Sequence, residues 1–488
     1  MTSRPRVRRT NVRPRRYLQR GVPRRWRYRL APGTAKARHP SRSYDLWLGF
    51  RRVLWSPGLW TAALVVAAIA REWSWATAAG ALAILARLAW SPERPPAEGL
   101  DPPYDVTSPD FDRSLVGATG APFVAGNRIE ILHNGDAFYP AMLDDIARAR
   151  RSVVLEGYIY WAGRVGSVFA EALAERARAG VVVKVLLDAV GSATIGDGIL
   201  RTLEAGGVQV AWYNPIRWYT LERTNHRTHR KSLIVDGEVA YTGGAGIADV
   251  WAGDAQDADH WRDLLVRLEG PGARPLMTGF ATNWLMTTAE LVVGDAFFPP
   301  VRARGETCVQ TLLSSPVSGA STLRMLYYLS LACASREILI ANPYFVPDPS
   351  AIGLLTSASR RGVKVNVLVS TTTADTWLAR HNSVRLFGPL LEAGVRIHEY
   401  TKTLLHYKAM IVDGCWATVG TCNFDNRSFA LNEESNVSWR ERALVAELDR
   451  AIREDFATAR EITLEEWHRR GWVNRGQELV ASLLQDQV

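Results

Sequence analysis

Cysteine is scarce in this chain of 488 residues, which contains four of them and no Cys-x-x-Cys pair. A small disulfide-stapled scaffold needs a higher proportion of cysteine, and a cysteine-based zinc site needs closely spaced pairs, so both classes are excluded. Hydrophobic residues make up 47% and charged residues 22%, which is the composition of a globular protein with a substantial core. We therefore expect reduced, packed thiols at Cys308, Cys333, Cys415 and Cys422.

Acidic residues are absent from the first 42 positions, which hold fourteen Arg and one Lys. Like charges at this density repel one another and little apolar surface offsets the entropy of ordering, so we predict a disordered basic arm over residues 1–50. The net charge of +10 belongs to this arm, because the rest of the chain carries a net charge of −5. A negatively charged body argues against a nucleic acid partner.

Charge is also absent from residues 53–70, and residues 73–90 contain Arg87 as their one charge. Eighteen helical residues span about 27 Å, close to the roughly 30 Å hydrocarbon core of a bilayer. We predict a membrane helical hairpin over residues 51–92, and the cations before it place the body on the cytoplasmic side of the cell (inner) membrane. A buried soluble helix pair and a shallow interfacial hairpin are the alternatives. The Pro-rich, acidic segment 93–124 is predicted to be a linker.

The rest of the chain contains an internal duplication. In each copy a Gly precedes a β-branched run, as in ARAGVVVKVLLD and SRRGVKVNVLVS, between two further strand-like runs. This order predicts strand, helix, buried strand, helix and strand, followed by a hairpin. We therefore expect an α/β fold of two repeats, each a mixed, mainly parallel sheet flanked by helices, that form one pseudo-twofold body with a shared cleft. The matching segments are 152–161 with 336–345, 177–188 with 359–370, and 203–210 with 391–397.

Both copies end in the same motif, His-x-Lys-x4-Asp-x6-Gly. A single His-x-Lys says little, whereas two copies with identical spacing at the same point of a repeat indicate a shared function. Residues i and i+2 of a strand point to one face, so each His and Lys should project together into the cleft. The motif residues are His229, Lys231 and Asp236 in the first copy and His406, Lys408 and Asp413 in the second.

These side chains suit chemistry on a phosphodiester. Two Lys supply fixed positive charge for the non-bridging oxygens without a metal. One imidazole can attack phosphorus while the other protonates the leaving alkoxide, and the same acid then activates water or an alcohol. The symmetry of the two copies leaves open which His has which role.

The doubled motif resembles the signature of the phospholipase D superfamily, and the resemblance covers about residues 125–488. It implies two phospholipase D-like halves, 125–305 and 306–488. It also implies catalysis by both motifs, with His229 as the nucleophile and His406 as the acid/base.

Supporting residues outside the motif core are implied by the same resemblance. Asn423 should add amide donors to the phosphate site of Lys231 and Lys408. Two acids, Asp263 in a Trp-Arg-Asp sequence and Glu434, should hold the two imidazoles, although each could also be an ordinary surface carboxylate.

One position departs from the family pattern. Gly246 in the first copy matches Asn423 in the second, so one phosphate donor is lost. A typical hydrogen bond contributes about 0.5–1.5 kcal/mol, so we expect weaker phosphate binding, with a silenced site as the alternative.

The order of a hydrophobic hairpin and two motif halves is similar to that of bacterial cardiolipin synthases, as are THRKSLIVDG, PYFVPD and LHYKAMIVDG. This resemblance implies transfer of a phosphatidyl group through a phosphohistidine, with phosphatidylglycerol as substrate, cardiolipin as product, and no metal or organic cofactor. A hydrolytic phospholipase D, a membrane-tethered nuclease and a non-enzymatic membrane scaffold are the alternatives.

Overall fold

The basic arm predicted over residues 1–50 and both ends of the hairpin predicted over 51–92 lie outside the residues that the structure describes. The structure is a computed structural model, and it describes residues 57–69, 73–89, 100–216, 225–300, 302–316, 322–371 and 377–483.

Two helices stand at the start of the described chain, α1 (Pro57–Ile69) and α2 (Trp73–Ala89). They pack against each other, and a Cβ added at Gly80 of α2 would lie 3.6 Å from Cδ1 of Leu64 of α1. A helical pair is therefore present within the hairpin segment. Across the described ranges, no helix combines the length and the apolar character that crossing a membrane requires.

The segment predicted as a linker, 93–124, contains a helix that packs as part of the body. Helix α3 (Pro109–Thr119) begins after Ser108, whose side chain accepts a hydrogen bond from the backbone N–H of Asp110. Phe111 and Leu115 are fully buried in a core formed mainly by the second repeat. The Ser-Pro-Asp sequence at 108–110 is thus a helix start inside the segment predicted as a linker.

Within the described residues, fifteen strands form one continuous sheet. The strands of the first repeat are β1 (Phe123–His133), β2 (Ser152–Gly157), β3 (Val182–Asp188), β4 (Gln209–Tyr213), β5 (Ser232–Val235), β6 (Val239–Gly243) and β7 (Leu264–Glu269). Those of the second are β8 (Thr307–Ser314), β9 (Glu337–Ala341), β10 (Lys364–Ser370), β11 (Arg396–Tyr400), β12 (Lys408–Val412), β13 (Trp416–Gly420), β14 (Glu434–Trp439) and β15 (Arg460–Ile462).

Helices flank this sheet in both repeats. Those between β1 and β8 are α4 (Asn134–Arg148), α5 (Arg164–Arg178), α6 (Asp197–Ala205) and α7 (Ala273–Thr288). Those after β8 are α8 (Thr322–Ala332), α9 (Pro349–Arg360), α10 (Trp377–Glu392), α11 (Asn426–Ala430), α12 (Arg442–Ala457), α13 (Leu464–His468) and α14 (Trp472–Ser482). The predicted alternation of strands and helices is present in both copies.

The order of the strands shows the pseudo-twofold relation between the repeats. It reads β15-β11-β10-β9-β12-β13-β14-β8-β1-β7-β6-β5-β2-β3-β4, so β8 and β1 lie at the centre and equivalent strands follow outward on each side. Strand β15 has no counterpart in this order. The two repeats therefore share one sheet and meet along β1 and β8.

The sheet is mixed, as predicted, but the expectation of mainly parallel strands is wrong. Among the fourteen neighbouring strand pairs described here, the parallel ones are β2/β3, β3/β4, β9/β10 and β10/β11. A parallel pair needs a long crossover, which the helices α5, α6, α9 and α10 supply. Short turns join the motif hairpins β5/β6 and β12/β13, so these pairs are antiparallel.

The four cysteines are free thiols. Cys333 and Cys422 are buried and Cys415 is half-buried, whereas Cys308 is exposed. The expectation of packed thiols is therefore wrong for Cys308, which lies at the exposed start of β8.

Candidate active site

The two motifs meet at one cavity of about 460 Å³. His229 and Lys231 reach it just before β5, and His406 reaches it just before β12. Asn423, which follows β13, lines the same cavity. Lys408 is fully buried beside it, with Nζ 3.1 Å from Nε2 of His406. The fold thus brings the His and Lys of both motifs into one site.

A short parallel bridge to the opposite repeat fixes each motif His. The backbone N–H of His229 donates to the carbonyl of Glu433 at 2.9 Å, and the N–H of Glu433 donates to the carbonyl of Arg227 at 2.9 Å. In the second bridge, the N–H of His406 donates to the carbonyl of Arg262 at 2.8 Å. Glu434 follows Glu433 in the sequence, and Asp263 follows Arg262. Each bridge thereby sets an acid beside an imidazole.

The imidazoles are held crosswise by these acids. Nδ1 of His229 lies 3.0 Å from both carboxylate oxygens of Glu434, which belongs to the second repeat. Nδ1 of His406 lies 2.9 Å from Oδ2 of Asp263, which belongs to the first. A carboxylate at Nδ1 holds the proton there and leaves the lone pair of the neutral ring on Nε2.

Different neighbours support the two acids, which are both fully buried. Oγ1 of Thr421 and, at 3.3 Å, Nδ2 of Asn432 donate to Glu434. Nε1 of Trp251 donates to Oδ2 of Asp263 at 2.9 Å. The first repeat therefore uses an indole where the second uses a hydroxyl and an amide.

Burial and like charges set the protonation of the site. Burial and the nearby ammonium of Lys231 lower the pKa of His229 well below its usual value. Burial and Lys408 lower the pKa of His406 to about 4, and they lower the pKa of Lys231 to about 7. Burial raises the pKa of Glu434 to about 7. Both imidazoles are thus neutral at pH 7, and both Lys231 and Glu434 titrate near that pH.

The departure at Gly246 has a steric reason. A Cβ at this position would lie 2.8 Å from the carbonyl oxygen of Ile159 and 3.1 Å from Cζ3 of Trp251. Trp251 is fully buried, so a side chain at Gly246 would displace it. In the second repeat, Oδ1 of Asn423 is buried and has no hydrogen-bond partner among the described atoms, so it can accept a hydrogen bond from a ligand.

Asp236 and Asp413, predicted as catalytic, lie away from the cavity because the motif strand carries each on the order of 20 Å beyond its His. Both adopt a left-handed backbone, with φ 53° and 54°, at the turn of the motif hairpin. Their carboxylates accept hydrogen bonds from the backbone N–H groups that lead into the neighbouring strands β2 and β9. Their contacts are therefore structural. The donors are Arg150, Arg151 and Ser152 to Asp236, and Ser335, Arg336 and Glu337 to Asp413.

Replacing Asp413 with Ala should lower the free energy of unfolding by about 3 kcal/mol, because three backbone N–H groups lose a charged acceptor. Turnover per folded molecule should stay within about twofold of the unchanged protein, since the carboxylate does not reach the cavity. Urea denaturation and activity normalised to the folded fraction measure the two effects. Asp144→Ala, at a side chain that is 54% exposed, is the matched control. Lost turnover with unchanged stability would contradict the structural role.

Two segments of the chain, residues 142–253 and 329–456, match the family model described as "Cardiolipin synthase, PLD-like domain". The chain is 33% identical over 366 residues to the cardiolipin synthase of Geobacillus kaustophilus, a match that covers 74% of this chain and 73% of the relative. It is 31% identical over 368 residues to that of Listeria innocua, covering 75% and 76%. The chain belongs to the phospholipase D-like cardiolipin synthase family.

The fold of this cardiolipin synthase family member also occurs in a solved structure. The crystal structure of phosphatidylserine synthase from Haemophilus influenzae superposes with a TM-score of 0.60 and 14% sequence identity. The match covers 78% of this chain and 100% of that one. At this identity the likeness concerns the fold alone.

Three residues that sequence analysis missed also belong to the site. Arg427 on α11 lines the cavity, and its Nη1 donates to Oδ1 of Asn225 at 3.0 Å. The ring of Tyr158 lies 5.2 Å from that of His229. Trp251 supports an acid, as described above. Arg427 follows the second motif closely enough to have been found there, whereas Tyr158 and Trp251 gave no signal in a single sequence.

Among the described residues, no group of His, Cys, Asp or Glu could hold a metal ion.

Proposed function

We propose that this cardiolipin synthase family member transfers a phosphatidyl group between two molecules of phosphatidylglycerol, releasing cardiolipin and glycerol. One observation carries the proposal. Two imidazoles, each with a buried carboxylate at Nδ1, meet at one cavity with two buried lysines. The reaction is that of the relatives named cardiolipin synthase, to which the chain is 31–33% identical. We assign the two catalytic halves to residues 125–305 and 306–488, and the start of β8 at Thr307 supports that boundary.

In the first half-reaction, neutral His229 attacks the phosphorus of the donor lipid through Nε2. A P–N bond forms, the bond from phosphorus to the headgroup oxygen breaks, and His406 gives a proton to that oxygen so that glycerol leaves. Lys231, Lys408 and Asn423 hold the non-bridging oxygens. His406 is neutral in the free protein, and the negative phosphate raises its affinity for the proton that this step needs.

In the second half-reaction, a hydroxyl of the second phosphatidylglycerol attacks the phosphohistidine. His406 takes the hydroxyl proton, the P–N bond to His229 breaks, and the new P–O bond completes cardiolipin. Water in the same place would give phosphatidic acid, so the identity of the attacking group separates a transferase from a hydrolase.

The experiment that tests the proposal is an end-point lipid assay with purified protein in micelles that contain phosphatidylglycerol. We expect cardiolipin and glycerol in equal amounts. Phosphatidic acid without cardiolipin would replace the transferase with a hydrolytic phospholipase D. The absence of any lipid product would refute both.

The pKa of Lys231 is lowered to about 7 and that of Glu434 is raised to about 7. The pH dependence of kcat/KM should therefore be bell-shaped, with its maximum near pH 7. Below that pH, protonation of Glu434 removes the anionic partner of His229. Above it, Lys231 loses the charge that binds phosphate. Because bound phosphate stabilises that charge, the alkaline limb of kcat should lie at higher pH than that of kcat/KM.

Steady-state assays from about pH 5 to about pH 9 measure both constants. Lys231→Arg is the matched variant, because guanidinium stays charged throughout this range. It should remove the alkaline limb of kcat/KM. A kcat/KM of the unchanged protein that stays flat above pH 7 would contradict the assignment.

We also propose that the protein lies at the inner membrane with its catalytic body in the cytoplasm. The apolar runs 53–70 and 73–90 support this placement, and so does the excess of cations before them. Trp73 and Trp75 on α2 are 70% and 69% exposed, as suits rings at a lipid interface.

Deleting residues 2–42 should weaken binding to phosphatidylglycerol vesicles by at least about tenfold, because each basic residue near an anionic surface contributes about 1 kcal/mol. Co-sedimentation with vesicles measures the binding. Phosphatidylcholine vesicles are the control, and the deletion should change binding to them little. Equal binding of both proteins to the anionic vesicles would refute a role of the arm in lipid binding.

A further inference from the structure

Aromatic side chains surround His406. The rings of Trp251, Trp261 and Tyr344 lie 5.4, 5.5 and 6.4 Å from its imidazole. Trp251 also packs edge-on against Trp261, with ring centroids 4.9 Å apart. We call these three residues the aromatic collar.

The other imidazole, His229, has fewer aromatic neighbours among the described residues: the ring of Tyr158 lies 5.2 Å from it. The two motifs align without a gap from their His onward, and the backbone bridges of Ile247 and Phe424 occupy equivalent places in the two repeats. Asn423 and Arg427 line the cavity, whereas the aligned residues of the first repeat are apolar. The aligned pairs are Gly246 with Asn423, Val250 with Arg427, and Trp251 with Ser428.

Gly246 and Trp251 of the first repeat, which replace Asn423 and Ser428 of the second, depend on each other. A Cβ at Gly246 would lie 3.1 Å from the indole of Trp251, and that indole donates to the acid that holds His406. The first repeat has therefore replaced a polar phosphate contact with an apolar wall at the imidazole to which we assign acid and base catalysis.

We propose that the aromatic collar keeps water from His406 and so directs the phosphohistidine to a lipid alcohol rather than to hydrolysis. This inference rests on the proposed phosphatidyl transfer. A buried water typically makes about three hydrogen bonds. The three ring centroids of the collar lie within 6.4 Å of the imidazole, and Nε1 of Trp251 is already used by Asp263, so this side of His406 offers a water molecule few hydrogen-bond partners. A water molecule would be poorly held there, whereas the hydroxyl of a bound lipid is held in place by the rest of that lipid.

The step that the collar controls is the second half-reaction. In the productive course, the acceptor hydroxyl gives its proton to Nε2 of His406 as its oxygen forms the bond to phosphorus and the P–N bond to His229 breaks. In hydrolysis, water supplies both the oxygen and the proton, and phosphatidic acid leaves instead of cardiolipin. The ratio of the two products therefore reports the environment of His406.

The test replaces Trp261, which is half-buried at the edge of the collar, with Ala in the full-length protein. Phosphatidylglycerol is supplied in micelles prepared in ¹⁸O-labelled water, and labelled phosphatidic acid and cardiolipin are quantified together. We expect the ratio of phosphatidic acid to cardiolipin to rise at least about fivefold, in the range by which an apolar pocket discriminates between ligands. Because the ratio is formed within each turnover, it does not depend on how much protein folds.

Two further variants complete the test. Trp467→Ala removes another half-buried Trp, whose indole donates to the carbonyl of Val384 outside the collar, and it should leave the ratio unchanged. Trp261→Leu keeps an apolar side chain and should give a smaller rise than Trp261→Ala. Equal ratios in all four proteins would overturn the role of the collar. Failure of the unchanged protein to form cardiolipin would instead refute the proposed function.

Discussion

Cardiolipin formation should fall by at least about four orders of magnitude when His229 is replaced by Ala, because the variant loses the nucleophile and no covalent intermediate forms. His406→Ala should be as slow with phosphatidylglycerol for a different reason. It keeps the nucleophile but lacks the proton that the departing glycerol oxygen needs. With a leaving group that needs no proton, His406→Ala should therefore still form the phosphohistidine, whereas His229→Ala should not.

A phosphatidyl ester of p-nitrophenol distinguishes them, since nitrophenolate leaves without a proton. We expect His406→Ala to release one equivalent of nitrophenol and to accumulate an acid-labile phosphohistidine, and His229→Ala to release almost none. ³¹P NMR of the denatured protein identifies the adduct. The exposed His468 provides the control His468→Ala, which should match the unchanged protein. An adduct in His229→Ala would reverse the assigned roles, and full activity of both variants would refute catalysis by the two imidazoles.

Asp263→Asn and Glu434→Gln should each lower kcat by about three orders of magnitude, since a neutral amide neither enforces the tautomer of the imidazole nor stabilises its charged form. The crosswise contacts predict which step each variant slows. Glu434→Gln should slow adduct formation with either leaving group, because Glu434 holds His229. Asp263→Asn should lose much less with the nitrophenyl ester, because Asp263 holds His406.

Glu433→Gln is the matched control for these variants. Glu433 is a buried carboxylate next in sequence to Glu434, but it pairs with Arg230 and accepts from Ser315 rather than from an imidazole. This change should reduce stability while kcat per folded molecule remains within about threefold. Single-turnover kinetics and circular dichroism separate the two effects. Equal responses of Asp263→Asn and Glu434→Gln to the leaving group would contradict the crosswise assignment.

Sequence reasoning predicted the duplication, the alternation of strands and helices, and the His and Lys of the site, because these follow from local periodicity and from spacing within a motif. It failed where contacts are made between distant segments. Asp236 and Asp413 share the motif with the His residues, yet the length of a strand carries them to the far end of the hairpin. The family resemblance supplied Asp263 and Glu434 as the acids at the two imidazoles, but spacing does not show which acid lies beside which His, because that depends on how the strands of the two repeats are placed in a shared sheet.

The same limit applies to Gly246. The missing amide was visible in the sequence, but its reason was not, since the indole that fills the space comes from Trp251 and is positioned by the fold. Helix α3, inside the segment predicted as a linker, was missed for a different reason. Pro and acidic residues are common both in tethers and at helix starts, and the burial of Phe111 decides between them.

The crosswise pairing of acids and imidazoles has a consequence for how the two halves of the gene can change. Neither repeat contains a working pair of its own, so a substitution at an acid of one half disables the imidazole of the other. If one copy had lost its acid after the duplication, the imidazole of the other copy would have lost its partner. Both halves are therefore bound to keep their His and acid, while the residues around them, such as Trp251 and the aligned Ser428, differ between the halves.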